Sequence, residues 1–190
     1  MALPKLELIH GVEKQFFTNH VGHFLLITGL LDNLTDDGRV VILSSALHLQ
    51  APKVGIDFAN LDGSKRYAPW ESYAVSKLAN VLFANSLARK FEGTNKRAFS
   101  VHPGVILTNL IRYQSAVLRF VFSNVIGPLF LKSIPQGAAT SCFAAVHPSA
   151  LKAKSTYLKD CGDGTTHPAA GNVELQDKLW KETQAILDRC

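Results

Sequence analysis

Apolar residues recur at spacings of three and four in four stretches of the chain, a pattern typical of helices with one buried face. The first stretch predicts a helix around residues 17–31, and the second predicts one over residues 72–90. Pro135 suits the first turn of a third helix with residues 136–146 as its body, and Asn172 can cap a fourth. The apolar faces are formed by Phe17, Val21, Phe24, Thr28 and Leu31, by Val75, Leu78, Ala79 and Leu82, and by Leu175, Leu179, Thr183 and Ile186.

Short apolar runs lie between these helical stretches. Residues 40–43 are continuously apolar and mostly β-branched, as expected of a parallel strand covered on both faces. Shorter runs at 98–101 and 156–158 predict two further strands. Because strands and helices alternate, the chain is expected to form an open α/β sheet of about three strands with flanking helices.

Composition and charge bear on the number of domains, on nucleic-acid binding and on the location of the protein. The chain has 190 residues, of which 47% are hydrophobic and 18% charged, so it is long and apolar enough to bury the core of one domain. The formal net charge of +5 is spread without a basic stripe, so nucleic acid is not expected as a partner. Three sparse cysteines and no visible signal or confident membrane-spanning segment favour a cytoplasmic location.

Tyr73 and Lys77 carry the most informative chemistry. They lie four residues apart, so they share one face of the predicted helix 72–90. An ammonium beside a phenol is expected to lower the tyrosine pKa and make the pair a general acid and base for an alcohol or carbonyl. The spacing alone does not identify a site, because it also occurs on many solvated helices.

Small polar residues follow two of the predicted strands. Ser44 and Ser45 come directly after residues 40–43, and Pro103 and Gly104 follow the next strand. Groups at the carboxyl ends of strands line the ligand crevice of open α/β sheets, although serines and Pro-Gly pairs there also serve as ordinary turn formers.

With these residues, the chain resembles the short-chain dehydrogenase/reductase family, and most closely its retinol-dehydrogenase and WW-domain-oxidoreductase-like branch. The resemblance covers nearly the whole chain in the order and spacing of the family. The matching segments are 17–24, 39–45, 73–80, 101–105, 157–161 and 179–180. It implies the C-terminal half of a Rossmann-like doubly wound parallel sheet, with NAD or NADP as the cofactor.

The resemblance also implies roles for individual residues. Tyr73 would give or take the proton, and Lys77 would lower its pKa and bind the nicotinamide ribose. Ser45 would orient the reacting oxygen, and Asn19 would hold a water molecule of the proton relay. Cofactor contacts would come from the segment after the second strand, namely Pro103, Gly104, Val105 and Thr108.

The N-terminal strands and the Gly-rich phosphate loop of a dinucleotide-binding fold are absent from this sequence, together with the residue that selects NAD or NADP. On the order of 90 residues are therefore expected to be missing from a single truncated domain spanning residues 1–190. We expect impaired cofactor binding by the chain alone. The alternative function is a non-catalytic isoform or pseudoenzyme that acts by protein association through its exposed sheet edge.

The apolar segment 105–134 is expected to be a lid over a small lipophilic alcohol or carbonyl, with ordinary packing or a subunit contact as the alternative. Within it, Arg112 and Arg119 leave contact with membrane headgroups open. Self-association of the chain is a separate open possibility. His20 and His23 are three residues apart, yet no Glu or Cys completes a metal site, so a structural role is expected for both. His102 is assigned no catalytic role, and Tyr67 is expected to be a surface or packing residue because no lysine lies four residues after it.

Overall fold

Six strands form two sheets in the computed structural model, which describes residues 1–106 and 131–190. The first two strands form a small antiparallel hairpin, and the other four form one sheet in sequential order. The strands are β1 (Leu8–Ile9), β2 (Val12–Glu13), β3 (Arg39–Leu43), β4 (Arg97–His102), β5 (Tyr157–Lys159) and β6 (Gly162–Asp163).

The larger sheet confirms the predicted α/β class. β3 pairs with β4 in parallel and β4 pairs with β5 in parallel, so their carboxyl ends meet at one edge. The three expected strands are the parallel strands β3, β4 and β5, and β6 adds a short fourth strand antiparallel to β5. A tight turn with positive φ at Asp160 and Cys161 reverses the chain there.

Helical segments flank this sheet on both faces. They are α1 (Lys14–Phe16), a π-helical segment (Phe17–Val21), α2 (Gly22–Leu30), α3 (Pro69–Lys90), α4 (Ile134–Val146) and α5 (Val173–Leu187). The predicted helix around 17–31 thus begins with the π-helical segment and continues as α2, and α1 directly precedes it. α3 begins three residues before the prediction, because Pro69 opens its first turn.

The core lies on both faces of the sheet. On one face, Ile42 of β3 and Ala98 of β4 pack with Phe24 and Phe83. Phe24 is fully buried, and its ring centroid lies 4.9 Å from those of Phe83 and Trp180, so α2, α3 and α5 meet at one aromatic cluster. The opposite face is covered by α4, whose residues pack on Phe99, Val101 and Leu158.

Two further features set limits on the architecture. Within residues 1–106 and 131–190, no helix combines the length and apolar character needed to cross a membrane. Residues 107–130, including Thr108, Arg112, Arg119 and most of the predicted lid, lie outside the described residues.

Candidate functional site

The carboxyl ends of β3 and β4 bring several of the predicted site residues to one edge of the sheet. Because the two strands are parallel and in register, Ser44 and Ser45 after β3 lie beside the Pro103-Gly104 segment after β4. The Ser44 amide donates to the Val101 carbonyl at 2.8 Å, which continues the pairing past the end of β3. α3 runs along this edge and carries Tyr73 and Lys77.

Tyr73 is buried, with 9% of its surface exposed. Burial raises the pKa of Tyr73, and a side-chain hydrogen bond with Ser45 opposes that rise. The Tyr73 and Ser45 side chains therefore lie close together. The predicted direction of the tyrosine pKa is wrong for the chain as it stands, because desolvation of the phenolate outweighs the influence of its neighbours.

The Lys77 ammonium lies beside the Tyr73 ring. The Lys77 Nζ atom lies 5.6 Å from the ring centroid, and it donates to the Leu43 carbonyl at 3.2 Å. The side chain is almost completely buried, and burial lowers the pKa of Lys77 to about 8. Four-residue spacing thus places both groups on one helix face, but the ammonium is anchored to the tip of β3.

Ser44 and Ser45 have different roles. The Ser44 hydroxyl donates to the Lys77 carbonyl at 2.8 Å, so this buried serine ties β3 to α3. Ser45 caps the short helical turn Ala46–Gln50 by accepting from the Leu47 amide at 3.3 Å. Of these two serines, Ser45 is the one whose side chain interacts with Tyr73. It is also the serine to which the resemblance gives a role in orienting the reacting oxygen.

Two buried histidines fix the loop that carries Ser45. The Nδ1 atom of His48 lies 2.6 Å from the Ser45 carbonyl oxygen, and the Ala46 amide donates to His102 Nδ1 at 3.2 Å. Burial lowers the pKa of His48, and it lowers the pKa of His102 to about 4. Both rings are therefore neutral near pH 7, and they hold the serine loop without adding charge. The sequence analysis did not single out His48. No local pattern indicates that His102 accepts from the Ala46 amide.

Asn19 reaches the site through a serine of α3. Its side-chain amide donates to Ser76 Oγ at 3.0 Å, and the Ser76 hydroxyl donates to the Tyr73 carbonyl at 2.7 Å. Asn19 lies in the π-helical segment, and such segments occur frequently at functional sites. The structure therefore brings Asn19, Ser45, Tyr73 and Lys77 to the same end of the molecule.

The predicted cofactor-binding segment after β4 is partly described. Gly104 has φ of +88°, which favours glycine, and a Cβ atom there would meet Lys132 Cδ at 2.6 Å. Val105 is exposed, and its carbonyl accepts from the Lys132 amide at 2.8 Å. Pro103, Gly104 and Val105 thus lie at the predicted edge, whereas Thr108 belongs to the part that is not described.

The remaining candidates have structural partners. The His20 ring nitrogens lie 3.2 Å from Asn80 Oδ1 and 3.0 Å from Thr183 Oγ1, and His23 Nδ1 lies 2.6 Å from the Asn19 carbonyl oxygen. Both histidines thus contact protein groups, as their expected structural role requires. Tyr67 donates its hydroxyl to the Leu3 carbonyl at 2.6 Å, which confirms it as a packing residue.

Comparison with known proteins adds the family context. No family model matches the chain. Short-chain dehydrogenase TIC 32 B, chloroplastic, from Brassica napus is 40% identical over 187 residues, which cover 94% of this chain and 58% of the relative. Retinol dehydrogenase 12 from Mus musculus is 37% identical over 191 residues, covering 98% of this chain and 58% of the relative. The chain therefore spans little more than half the length of these curated relatives.

A solved structure agrees with the sheet described above. The crystal structure of an uncharacterized protein from Mycobacterium paratuberculosis matches with a TM-score of 0.73 and 29% sequence identity. The match covers 99% of this chain and 63% of that protein. The similarity thus includes both the helices on the two faces and the edge where the candidate site lies.

Proposed function

Because the chain belongs to the short-chain dehydrogenase family, we propose that it carries the catalytic residues of an NAD(P)-dependent oxidoreductase that interconverts an alcohol and a carbonyl. The main support is the meeting of the Tyr73 and Ser45 side chains at the carboxyl end of β3, with Lys77 on the next turn of α3 and bonded to the Leu43 carbonyl. This is the set of a proton donor, an oxygen-binding hydroxyl and a cation that such a reaction needs.

The chain's own groups have distinct tasks in this proposal. In the reducing direction, the Tyr73 hydroxyl gives its proton to the carbonyl oxygen while the Ser45 hydroxyl orients that oxygen. In the oxidising direction, the Tyr73 oxygen takes the proton back from the alcohol. When bound, a nicotinamide cofactor supplies or accepts the hydride.

The donor set fits a nicotinamide ribose. An ammonium has three N–H donors, and Lys77 gives one of them to the Leu43 carbonyl. Lys77 would hold the ribose hydroxyls with the remaining donors, and the backbone of Pro103, Gly104 and Val105 would hold the nicotinamide end. We also propose a lipophilic substrate, because several relatives are named retinol dehydrogenases and the segment 107–130 is rich in apolar residues.

Replacing Tyr73 by Phe tests this function in the complete protein that carries the sequence. We expect Tyr73→Phe to lower turnover of retinol or a long-chain aldehyde by about 100-fold or more, because the ring stays but the proton donor is lost. Tyr67→Phe is the matched control, since its hydroxyl contacts the Leu3 carbonyl away from the site, and its turnover should be unchanged. Wild-type turnover in Tyr73→Phe would remove this residue from the mechanism.

Cofactor binding gives a separate test. This sequence has no Gly-rich phosphate loop, so we propose that the 190-residue chain alone binds NADH and NADPH weakly. Calorimetric titration of the purified chain with each dinucleotide measures that affinity. Micromolar binding to a monomer would contradict the proposal. Single-domain organisation stays a prediction. A cytoplasmic location also stays a prediction, since two relatives are named as chloroplastic.

A second function, association with another protein chain, is favoured by one observation. β3 is the edge strand of the described sheet, with Leu43 46% exposed. On nearby α2, Leu25, Leu26 and Leu30 are each more than half exposed. Light scattering after size exclusion tests association, because a second copy on these surfaces doubles the mass. A monomer that is active with its cofactor would contradict association as the function.

A further inference from the structure

Asn80 joins three elements beneath the candidate site. It lies in α3 one turn beyond Lys77, and it is completely buried. Its side-chain nitrogen donates to the Asn19 carbonyl and to the Leu43 carbonyl, each at 3.0 Å. Two carbonyl acceptors fix the orientation of this amide, so its oxygen must face His20.

The orientation of Asn80 fixes the proton on His20. The Asn80 oxygen lies 3.2 Å from His20 Nδ1, so that ring nitrogen carries the hydrogen. The other nitrogen, Nε2, then accepts from the Thr183 hydroxyl at 3.0 Å. Because burial lowers the pKa of His20 to about 4, the ring is neutral and keeps this tautomer near pH 7.

The Leu43 carbonyl links this arrangement to the proposed chemistry. It accepts from Asn80 at 3.0 Å and from the Lys77 ammonium at 3.2 Å. The Asn19 peptide is held by the same Asn80 amide, while the Asn19 side chain extends to Ser76. One buried amide thus contacts the backbone that supports both Lys77 and Asn19.

Thr183 connects the same contacts to the C-terminal helix. It is fully buried in α5, and its hydroxyl also lies 2.7 Å from the Leu179 carbonyl one turn earlier. The hydroxyl hydrogen is therefore shared between the helix backbone and His20. The resulting path runs from α5 through His20 and Asn80 to the tip of β3.

We propose that Asn80, His20 and Thr183 form a positioning chain that fixes the Lys77 ammonium and the Asn19 peptide relative to α5. The three residues do not touch substrate, and Asn80 acts through the Leu43 carbonyl. The expected effect of these residues on turnover rests on the proposed function. Their expected effect on the pKa of Lys77 does not. Removal of the Asn80 amide frees the Leu43 carbonyl and admits water beside the ammonium.

Asn80→Ala and Asn85→Ala form a matched pair for the test. Asn85 lies on the same helix, but it donates to the Ala170 carbonyl at 2.8 Å and accepts from Thr156, away from Lys77. The pKa of Lys77 is followed by NMR with isotopically labelled lysine in the complete protein. We expect Asn80→Ala to raise it toward its ordinary value, because the regained hydration favours the ammonium, while Asn85→Ala leaves it unchanged.

Kinetics of the same variants separate positioning from general stability. We expect Asn80→Ala to lower kcat about tenfold, a loss that a small displacement of a catalytic group explains. KM for the alcohol should change little, and Asn85→Ala should keep both constants. If the wild type turns over no alcohol or carbonyl, the proposed function fails, yet the Lys77 titration still decides the positioning chain.

Thr183→Val keeps the test decisive if Asn80→Ala does not fold. Valine has nearly the shape of threonine but removes the hydroxyl, and Thr183→Ser restores it. We expect Thr183→Val to move the pKa of Lys77 in the same direction as Asn80→Ala, and Thr183→Ser to bring it back. An unchanged Lys77 pKa in Thr183→Val, or an equal change in Asn80→Ala and Asn85→Ala, would overturn the proposal.

Discussion

Acidification should destabilise this protein through His20. The ring is fully buried against Phe16, Phe24 and Phe83. Burial is the largest cause that lowers the pKa of His20 from 6.5 to about 4; the Asn80 hydrogen bond opposes it and the charge of His23 adds to it. As the pH falls below 6.5, the unfolded chain takes up a proton that the folded chain refuses. The stability is thus fully present above pH 6.5 and is lost as the pH falls toward 4.

The size of this loss follows from the two pKa values. A difference between 6.5 and about 4 corresponds to about 3 kcal/mol of unfolding free energy. Small domains have about 5–15 kcal/mol in total, so one histidine would remove a large share of it. Burial also lowers the pKa of His48 and His102, and their contributions have the same sign.

The variant His20→Gln separates the contribution of His20 to stability from those of His48 and His102. Urea unfolding of wild type and His20→Gln is measured between about pH 7 and about pH 4. We expect the stability advantage of the wild type to shrink by about 3 kcal/mol over that range, since glutamine takes up no proton. Ser86→Ala is the control, because it loses a buried hydroxyl on α3 but no titrating group. A constant difference between wild type and His20→Gln would refute this account of the buried ring.

Three further changes have predictable results. Phe24→Ala should lower the unfolding free energy by about 3–5 kcal/mol, because a fully buried ring is lost beside Trp180, and tryptophan fluorescence should report the altered cluster. Asn172→Ala should cost about 1 kcal/mol in urea unfolding, because its side chain accepts from the Leu175 amide at the start of α5. Ser45→Ala should lower turnover about 100-fold, because the proposed oxygen-binding hydroxyl is removed. The melting temperature should fall by only about 2–4 °C, because the cap of the turn Ala46–Gln50 is lost as well.

Local patterns were enough to predict most elements of the sheet and its helices. The apolar run at 40–43 became β3, and the first-turn proline at 135 opens α4. Asn172 caps α5 as its residue type indicates. These signals succeed because they act within one turn or one strand. β6 was not predicted, because a strand of two residues is too short to show an alternation of apolar and polar positions.

The contacts that shape the site could not be obtained from local patterns. His48 and His102 hold the Ser45 loop, although Ala46 and His102 are 56 residues apart. His20 and Thr183 are 163 residues apart and meet only because the π-helical segment packs against α3 and α5. The lack of a Glu or Cys partner favours a structural role for His20 and His23, but it does not indicate which groups the rings contact. Only the fold shows which partner each ring nitrogen has.

Burial also decides the state of the proposed catalytic pair. Spacing on α3 predicts that Lys77 promotes ionisation of Tyr73, but desolvation acts on both groups and favours the neutral form of each. It raises the pKa of Tyr73 and lowers that of Lys77 to about 8. Near pH 7 the phenol of the chain as described therefore carries its proton, which is the form needed to protonate a carbonyl oxygen. The oxidising direction requires a prior loss of that proton, so the bond from Ser45, which lowers the tyrosine pKa, matters most there.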